Sequence, residues 1–313
     1  MGQVKPHQKF SKLLSENSLI LAECAIAERL RRMDGVELHP TLFNTPLIYG
    51  PKQAREQMTN LYREYLTIAE QAGLPLLLTA PTWRLDSRRV KQAGVPSSIN
   101  TDAVNYLCGV RDALAGRSPV LVGALVGPKE DCYRADLSPE TEEAEAFHLP
   151  QIDELANSQA EFLLAQTMSS VREARGIARA MSRFDKPYLI SFCARPDGSL
   201  LDGTRLDEAM AQLDNDNRIE RKPAGYSVNC THPSFLLQSY EPGTLDRLVG
   251  IQANGSSKDV TKLDGSGQTE ADPVDQWAAS MRALHTIHEV PILGGCCGTG
   301  EAHLKALAEP EDS

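Results

Sequence analysis

The chain has 313 residues, of which 41% are hydrophobic and 24% are charged, a composition typical of a globular protein. A formal net charge of −10 argues against a nucleic-acid partner, because phosphate binding needs a basic surface. No apolar run approaches the roughly 20 residues that span a bilayer, and no apolar signal-peptide stretch opens the chain. We therefore expect a cytoplasmic protein without a membrane partner.

Short apolar runs recur eight times along the chain, separated by amphipathic stretches. Each run has the length of a β-strand, and nearly continuous apolar character is typical of parallel strands that are buried on both faces. In chain order, the predicted strands are residues 19–24, 74–80, 119–127, 161–167, 187–194, 224–230, 248–254 and 291–297.

Helices are predicted between these strands, at 53–72, 170–184, 207–213, 274–288 and 301–307, because apolar residues recur there at three-to-four spacing. Long loops are predicted at 33–52, 128–151 and 255–272. The alternation predicts a single (β/α)8 barrel domain over residues 1–313, with a core at about 19–308. An open doubly wound sheet is the alternative; it is disfavoured because no Gly-rich phosphate-binding motif follows the first strand.

The chain has seven cysteines, an odd number that does not suggest a disulfide framework in a reducing compartment. Cys230 ends the sixth predicted strand, and Cys296 and Cys297 end the eighth. Because the carboxyl ends of barrel strands meet at one mouth, these thiols are expected to be neighbours. Three thiolates with a fourth position open are typical of a catalytic zinc site. Burial as small hydrophobic residues is the alternative reading.

Adjacent residues on an ideal strand point to opposite faces, so Cys296 and Cys297 can share a metal only if the backbone leaves the strand there. Gly294, Gly295 and Gly298 flank the pair. Glycine tolerates positive φ and close backbone approach, so these residues are expected to supply the necessary freedom.

The segments around these cysteines, SVNCTHP at 227–233 and ILGGCCGT at 292–299, resemble the two zinc-ligand signatures of the homocysteine S-methyltransferase family. That family includes betaine-, S-methylmethionine- and folate-dependent members, and the resemblance extends over about 19–307. It implies a (β/α)8 barrel in which Cys230, Cys296 and Cys297 bind Zn²⁺. It further implies that a methyl group passes from a small donor to a thiol, with homocysteine as the first expectation and methionine as the product.

Three segments depart from the family pattern, one of them after the second strand, where Thr79-Ala80-Pro81-Thr82-Trp83 replaces the expected Thr-Asn-Thr-Tyr. The first strand ends in Glu23-Cys24-Ala25, where the family usually has an acidic residue followed by two glycines. The fourth strand ends in Gln166-Thr167, where the family has Glu-Thr, a pair that binds the amino group of homocysteine. An amide cannot neutralise an ammonium, and charge-assisted hydrogen bonds are roughly twice as strong as neutral ones. These changes favour a relative with altered substrate recognition.

The expected ligands are therefore Zn²⁺, a small thiol acceptor and a small methyl donor. A zinc methyltransferase with another acceptor or donor, and a paralogue that binds zinc or a thiol without turnover, are the alternatives. Donor identity and homo-oligomerisation are left open. Trp83 is expected to cap a methylammonium or sulfonium group by a cation–π contact. The remaining residues expected to bind substrate are Glu23, Gln166, Thr167, Asn229 and Asn254.

Overall fold

Eight parallel strands close into a barrel in the computed structural model, which describes residues 6–263 and 271–309. Each strand pairs with the next along the chain, and β8 pairs with β1 through Ile20 opposite Ile292. The predicted (β/α)8 barrel is confirmed. The strands are β1 (Ile20–Ala22), β2 (Leu76–Ala80), β3 (Val120–Val126), β4 (Phe162–Met168), β5 (Tyr188–Phe192), β6 (Gly225–Asn229), β7 (Leu248–Ala253) and β8 (Ile292–Gly295).

Helices surround the barrel, and none of those in the described residues is both long and apolar enough to cross a membrane. The five predicted helices correspond to α3, α7, α8, α11 and α12. The full set is α1 (Pro6–Glu16), α2 (Ala27–Arg31), α3 (Lys52–Ala72), α4 (Ser87–Ala93), α5 (Ile99–Leu114), α6 (Thr141–Ala156), α7 (Val171–Met181), α8 (Leu206–Asp214), α9 (Pro233–Ser239), α10 (Val260–Leu263), α11 (Val274–His288) and α12 (Glu301–Ala308).

The prediction of a loop over 128–151 is wrong in its second half, because α6 begins at Thr141. The buried face of this helix carries polar residues, including Glu145, His148 and Gln151, so it has no continuous apolar stripe. The helix also contains Pro150, which normally disfavours a helix interior. Side-chain hydrogen bonds from the buried polar residues attach the helix to its neighbours; for example, His148 Nε2 lies 3.0 Å from Glu173 Oε1 on α7.

Helix α1 closes the amino-terminal end of the barrel. Its Phe10 is fully buried and packs on Phe162 of β4, with ring centroids 5.2 Å apart. Gly123 on β3 makes room for this ring, since a Cβ there would lie 2.4 Å from Phe162. The barrel interior is therefore filled at this end, and the open end is the carboxyl mouth of the strands.

Long connections lie at the carboxyl mouth, after β1, β3 and β7. The predicted loop 33–52 contains a short 3₁₀ turn at Thr45–Ile48. Part of the predicted loop 255–272, residues 264–270, lies outside the described residues. The predicted domain bounds of 1–313 likewise extend beyond them and stay a prediction.

Candidate metal centre

Three thiols converge at the mouth of the barrel. The Sγ atoms of Cys230, Cys296 and Cys297 all lie within 4.8 Å of one another. The closest pair, Cys230 and Cys296, is 3.2 Å apart. The first thiol follows β6 and the other two follow β8, so strand order in the barrel brings together residues that are distant in sequence.

The backbone turns out of β8 at the cysteine pair. Strand β8 ends at Gly295, and Gly298 has a φ of +79°, a left-handed conformation that favours glycine. The other two glycines allow close packing: a Cβ at Gly294 would lie 2.6 Å from the carbonyl oxygen of Ala22 on β1. A Cβ on Gly295 would lie 2.1 Å from Thr299 Oγ1. The exit from the strand therefore depends on all three glycines.

Asn229 links two strained residues of the site. Cys230 and Thr167 have φ values of +51° and +65°, which side chains other than glycine rarely adopt. Asn229 Oδ1 accepts hydrogen bonds from the Thr167 amide and the Ser191 hydroxyl, both at 2.8 Å. Its Nδ2 donates to Thr167 Oγ1 at 2.7 Å and to Cys230 Sγ at 3.4 Å.

This network fills the hydrogen-bonding capacity of the Asn229 amide, which has two donor hydrogens and two acceptor lone pairs. The side chain holds the Cys230 sulfur and the bulge of β4 at Thr167, where the register with β5 shifts. Asn229 also lines the cavity described below, and substrate binding by this residue stays a prediction.

The three thiols do not share their protons equally. The neighbouring Cys230 and Cys297 thiols stabilise a thiolate on Cys296, which holds the pKa of Cys296 well below its usual range. Hydrogen bonding to Cys296 raises the pKa of Cys230 well above the usual range. A cluster that already stabilises one thiolate is suited to binding a cation.

Glu23 and Gln166 are both engaged by the protein. The Thr79 amide donates to Glu23 Oε2 at 3.1 Å, and the Thr79 hydroxyl donates to the other oxygen. Burial raises the pKa of Glu23 to about 8, although the bonds from Thr79 oppose this shift. Gln166 Nε2 donates to Gln252 Oε1 at 3.0 Å, and Gln252 in turn donates to the Glu23 carbonyl.

A single cavity of about 510 Å³ connects these groups. Glu23, Gln166 and Thr167 line it together with the three cysteines. Trp83 lines it too, where its indole donates to the Gln166 carbonyl at 3.0 Å and its ring stacks on Phe43. The cation over Trp83 in this structure is the Arg84 guanidinium, 5.6 Å from the ring centroid.

The sequence model of homocysteine S-methyltransferases matches residues 20–310, nearly the whole chain. The chain belongs to the homocysteine S-methyltransferase family. It is therefore an enzyme of the thiol S-methyltransferase type, with small-molecule substrates, and the family together with the cysteine cluster points to a metal.

Named relatives of the family are distant in sequence but similar in length. The homocysteine S-methyltransferase YbgG of Bacillus subtilis is 23% identical over 311 residues, covering 95% of each chain. The Escherichia coli homocysteine S-methyltransferase is 24% identical, covering 94% of this chain and 96% of its own. The oxidised form of the E. coli homocysteine methyltransferase MmuM has the same fold, with a TM-score of 0.76 and 21% identity. That comparison covers 97% of this chain and 99% of MmuM.

Asn254 and Cys24 lie just after β7 and β1 and differ in their access to the cavity. Asn254 is buried and is not among the residues that line the cavity. Its backbone amide donates to the Thr231 carbonyl and its backbone carbonyl accepts from the Trp277 indole, while its side-chain Oδ1 has no partner among the described residues. Cys24 lines the cavity but is outside the group of three thiols. Burial raises the pKa of Cys24 to about 12, so it is not a reactive thiolate.

Several residues that line the cavity were not predicted from the sequence. Thr79 is the last residue but one of a predicted strand, and Gln252 is a polar residue within a predicted apolar strand. Both positions carry a signal, since polar side chains at the carboxyl ends of barrel strands face the mouth. Phe43 and Arg84 lie on loops and carry no comparable signal.

Proposed function

We propose that this chain is a zinc-dependent S-methyltransferase in which Cys230, Cys296 and Cys297 hold Zn²⁺. The proposed acceptor is homocysteine, giving methionine, and the proposed donor is a small sulfonium or ammonium compound such as S-methylmethionine or a betaine. The observation that carries the proposal is the convergence of three thiols within 4.8 Å in the cavity of a homocysteine S-methyltransferase fold.

The donor set fits zinc. Tetrahedral coordination with Zn–S bonds of about 2.3 Å separates two sulfur ligands by about 3.8 Å. That spacing lies between the 3.2 Å of the closest pair and the 4.8 Å limit of the group, so only small side-chain shifts are needed. One solved structure similar in fold, with a TM-score of 0.70, is described as the metallated form of E. coli MmuM.

A bound Zn²⁺ would supply Lewis acidity that lowers the pKa of a substrate thiol. The protein's own residues position the reactants. Asn229 fixes the direction of the Cys230 sulfur, as partners of metal ligands commonly do. The cavity holds the donor beside the acceptor, which replaces a bimolecular encounter by an oriented one. A sulfonium or ammonium donor leaves as a neutral molecule, so the step needs no general acid.

The first test is zinc per chain by elemental analysis after purification under reducing conditions. We expect close to one zinc in the unmodified protein and its loss in Cys230→Ala, Cys296→Ala and Cys297→Ala. Cys108→Ala is the matched control, since Cys108 is a buried cysteine on α5 outside the cavity. Zinc content that survives substitution at the three sites would overturn the ligand assignment.

A second test follows methyl transfer with a panel of donors and thiols. Turnover that requires all three cysteines supports the proposal, and absence of turnover with every pair contradicts it. The predicted cytoplasmic location and any homo-oligomerisation are separate matters that stay predictions.

A second candidate is methyl transfer to a thiol without an ammonium group. It is favoured because neither of the residues that would grip an ammonium offers a free negative charge at neutral pH. Gln166 is an amide bonded to Gln252, and burial raises the pKa of Glu23 to about 8, so its carboxyl keeps its proton. Under this candidate, thiols lacking the amino group have a lower KM than homocysteine.

The variant Gln166→Glu separates the two candidates. Under the second candidate, it lowers the KM for homocysteine and leaves the KM for an amine-free thiol unchanged or higher. If the unmodified protein already prefers homocysteine and Gln166→Glu does not change that preference, the first candidate holds.

A further inference from the structure

The end of the cavity formed by the loops after β1 and β2 is built around two aromatic rings. Phe43 stacks on Trp83 with ring centroids 5.9 Å apart and planes 19° from parallel. Phe43 adopts a φ of +55°, which is rare for an aromatic residue. The turn that imposes it is held by two hydrogen bonds between the backbones of His39 and Phe43, at 3.0 and 2.9 Å. Strained conformations of this kind concentrate at functional sites.

Two arginines extend over these rings. The guanidinium carbon of Arg84 lies 5.0 Å from the Phe43 ring centroid, and that of Arg31 lies 5.8 Å from it. Both arginines line the same cavity as the three cysteines. The aromatic faces that could receive a cationic methyl donor therefore already face two positive charges of the protein itself.

Neither arginine forms an ion pair in the part of the chain that the structure describes. The neighbouring arginines of α4 differ: Arg88 pairs with Glu130 at 2.9 Å, and Arg89 pairs with Asp86 at 2.5 Å. Two of the three arginines at 84–89 are therefore neutralised by carboxylates. The third, Arg84, which lies over the rings, has no ion pair among the described residues.

The surroundings of Arg84 disfavour an unpaired cation. Its Nε is buried without a hydrogen-bond partner, which is costly for a charged group unless a ligand completes it. Burial and the like charge of Arg89 lower the pKa of Arg84. Cys132, Asp86 and Asp131 oppose this shift. The two carboxylates are engaged elsewhere: Asp86 binds Arg89, and Asp131 accepts from the Tyr133 amide at 2.9 Å.

We propose that Arg84, assisted by Arg31, is an anion-binding subsite that takes a carboxylate of a methyl-transfer substrate. The inference rests on the proposed function, because it assumes that the substrate sulfur lies at the cysteine end of the same cavity. Guanidinium groups match the planar geometry of carboxylates and form bidentate, charge-assisted hydrogen bonds with them. A substrate with a net positive charge and no carboxylate is disfavoured by the same two arginines. Arg84 thus determines substrate charge and acts as a positioning residue.

The test uses a matched pair of thioethers, the anion 3-(methylthio)propanoate and its uncharged methyl ester, which differ by one negative charge. Binding to the zinc-loaded protein is measured by calorimetry, so turnover is not required. We expect the acid to bind at least tenfold more tightly than the ester, and Arg84→Gln to abolish that preference. Arg84→Lys, which keeps the charge without the planar fork, should retain part of it. Arg117→Gln is the control, since Arg117 is exposed after α5, away from the cavity.

Equal binding of acid and ester, no saturable binding of the acid, or a preference that survives Arg84→Gln would each overturn the inference. Arg31→Gln should have a smaller effect than Arg84→Gln, because the Arg31 side chain is exposed and solvent screens its charge.

Turnover then identifies which substrate carries the carboxylate. Once an active donor and thiol are known, Arg84→Gln should raise the KM of one of them at least tenfold and leave kcat and the other KM nearly unchanged. Turnover without any dependence on Arg84 sinks the inference and leaves the proposed function intact. An Arg84-dependent preference for the acid, without turnover by any pair, sinks the proposed function alone.

Discussion

Replacing Asn229 by alanine should weaken metal binding more than any other change outside the three cysteines. The substitution removes four hydrogen bonds, which join its amide to Thr167, Ser191 and the Cys230 sulfur. At a net value of about 1 kcal/mol for each bond, the free energy of unfolding should fall by about 4 kcal/mol. Loss of a group that orients a metal ligand typically lowers metal affinity about 10- to 100-fold.

The assay is competition with a chromogenic zinc chelator, with urea denaturation measured in parallel. Asn100→Ala is the matched control, because Asn100 is a buried asparagine whose amide makes three side-chain hydrogen bonds, to Leu85, Glu154 and Gln151. That variant should lose about 3 kcal/mol of stability and keep its zinc affinity. Equal zinc affinities for Asn229→Ala and Asn100→Ala would refute the positioning role. Should Asn229→Ala not fold, Ser191→Ala removes one bond of the same network and should show a smaller shift in the same direction.

The remaining predictions concern Glu23 and two glycines. Folding raises the pKa of Glu23 from 4.5 to about 8, so the folded chain keeps a proton that the unfolded chain releases. Stability should therefore fall as pH rises through this window, by up to about 4 kcal/mol between pH 5 and 8 relative to Glu23→Gln, in urea titrations at both pH values. A Cβ at Gly295 would collide with Thr299 and Cys24, so Gly295→Ala should lower both zinc content and melting temperature. Gly109→Ala, on α5 with no atom within 4 Å of the added methyl group, should instead stabilise the fold by about 0.5–1 kcal/mol. A higher Tm for Gly295→Ala, or a lower Tm for Gly109→Ala, would contradict these predictions.

The strands were predictable because each carries its own signal. A strand buried on both faces is a run of apolar residues; seven of the eight predicted runs contain the strand that the structure shows there, and β4 extends one residue beyond its run, to Met168. The helices were harder to predict than the strands, and for different reasons. Helix α5 has an apolar stripe, which could have been recognised, at Ile99, Ala103, Leu107 and Val110. Helix α6 could not be predicted in this way, because its buried positions are polar and find their partners on other elements.

The substrate side of the cavity was harder to predict than the thiol side. The cysteines are rare residues at strand ends, so topology alone was enough to expect them to meet. Hydrogen-bonding capacity is not visible in a sequence: only the structure shows that the amide of Asn229 is fully used by Thr167, Ser191 and Cys230. Asn254, at a strand end like the others, lies buried outside the cavity, and its backbone bonds to Thr231 and Trp277.

The sequence by itself determined the barrel, the family and the three thiols, because apolar periodicity and the motifs at 227–233 and 292–299 are local properties of the chain. The tertiary structure decided which charges are neutralised. Arg84, Arg88 and Arg89 are close together in sequence, yet Arg88 and Arg89 pair with carboxylates, while Arg84 lies over Phe43 without an ion pair among the described residues. Pairing depends on distances of a few ångströms between side chains from different loops, and those distances are fixed only when the barrel closes.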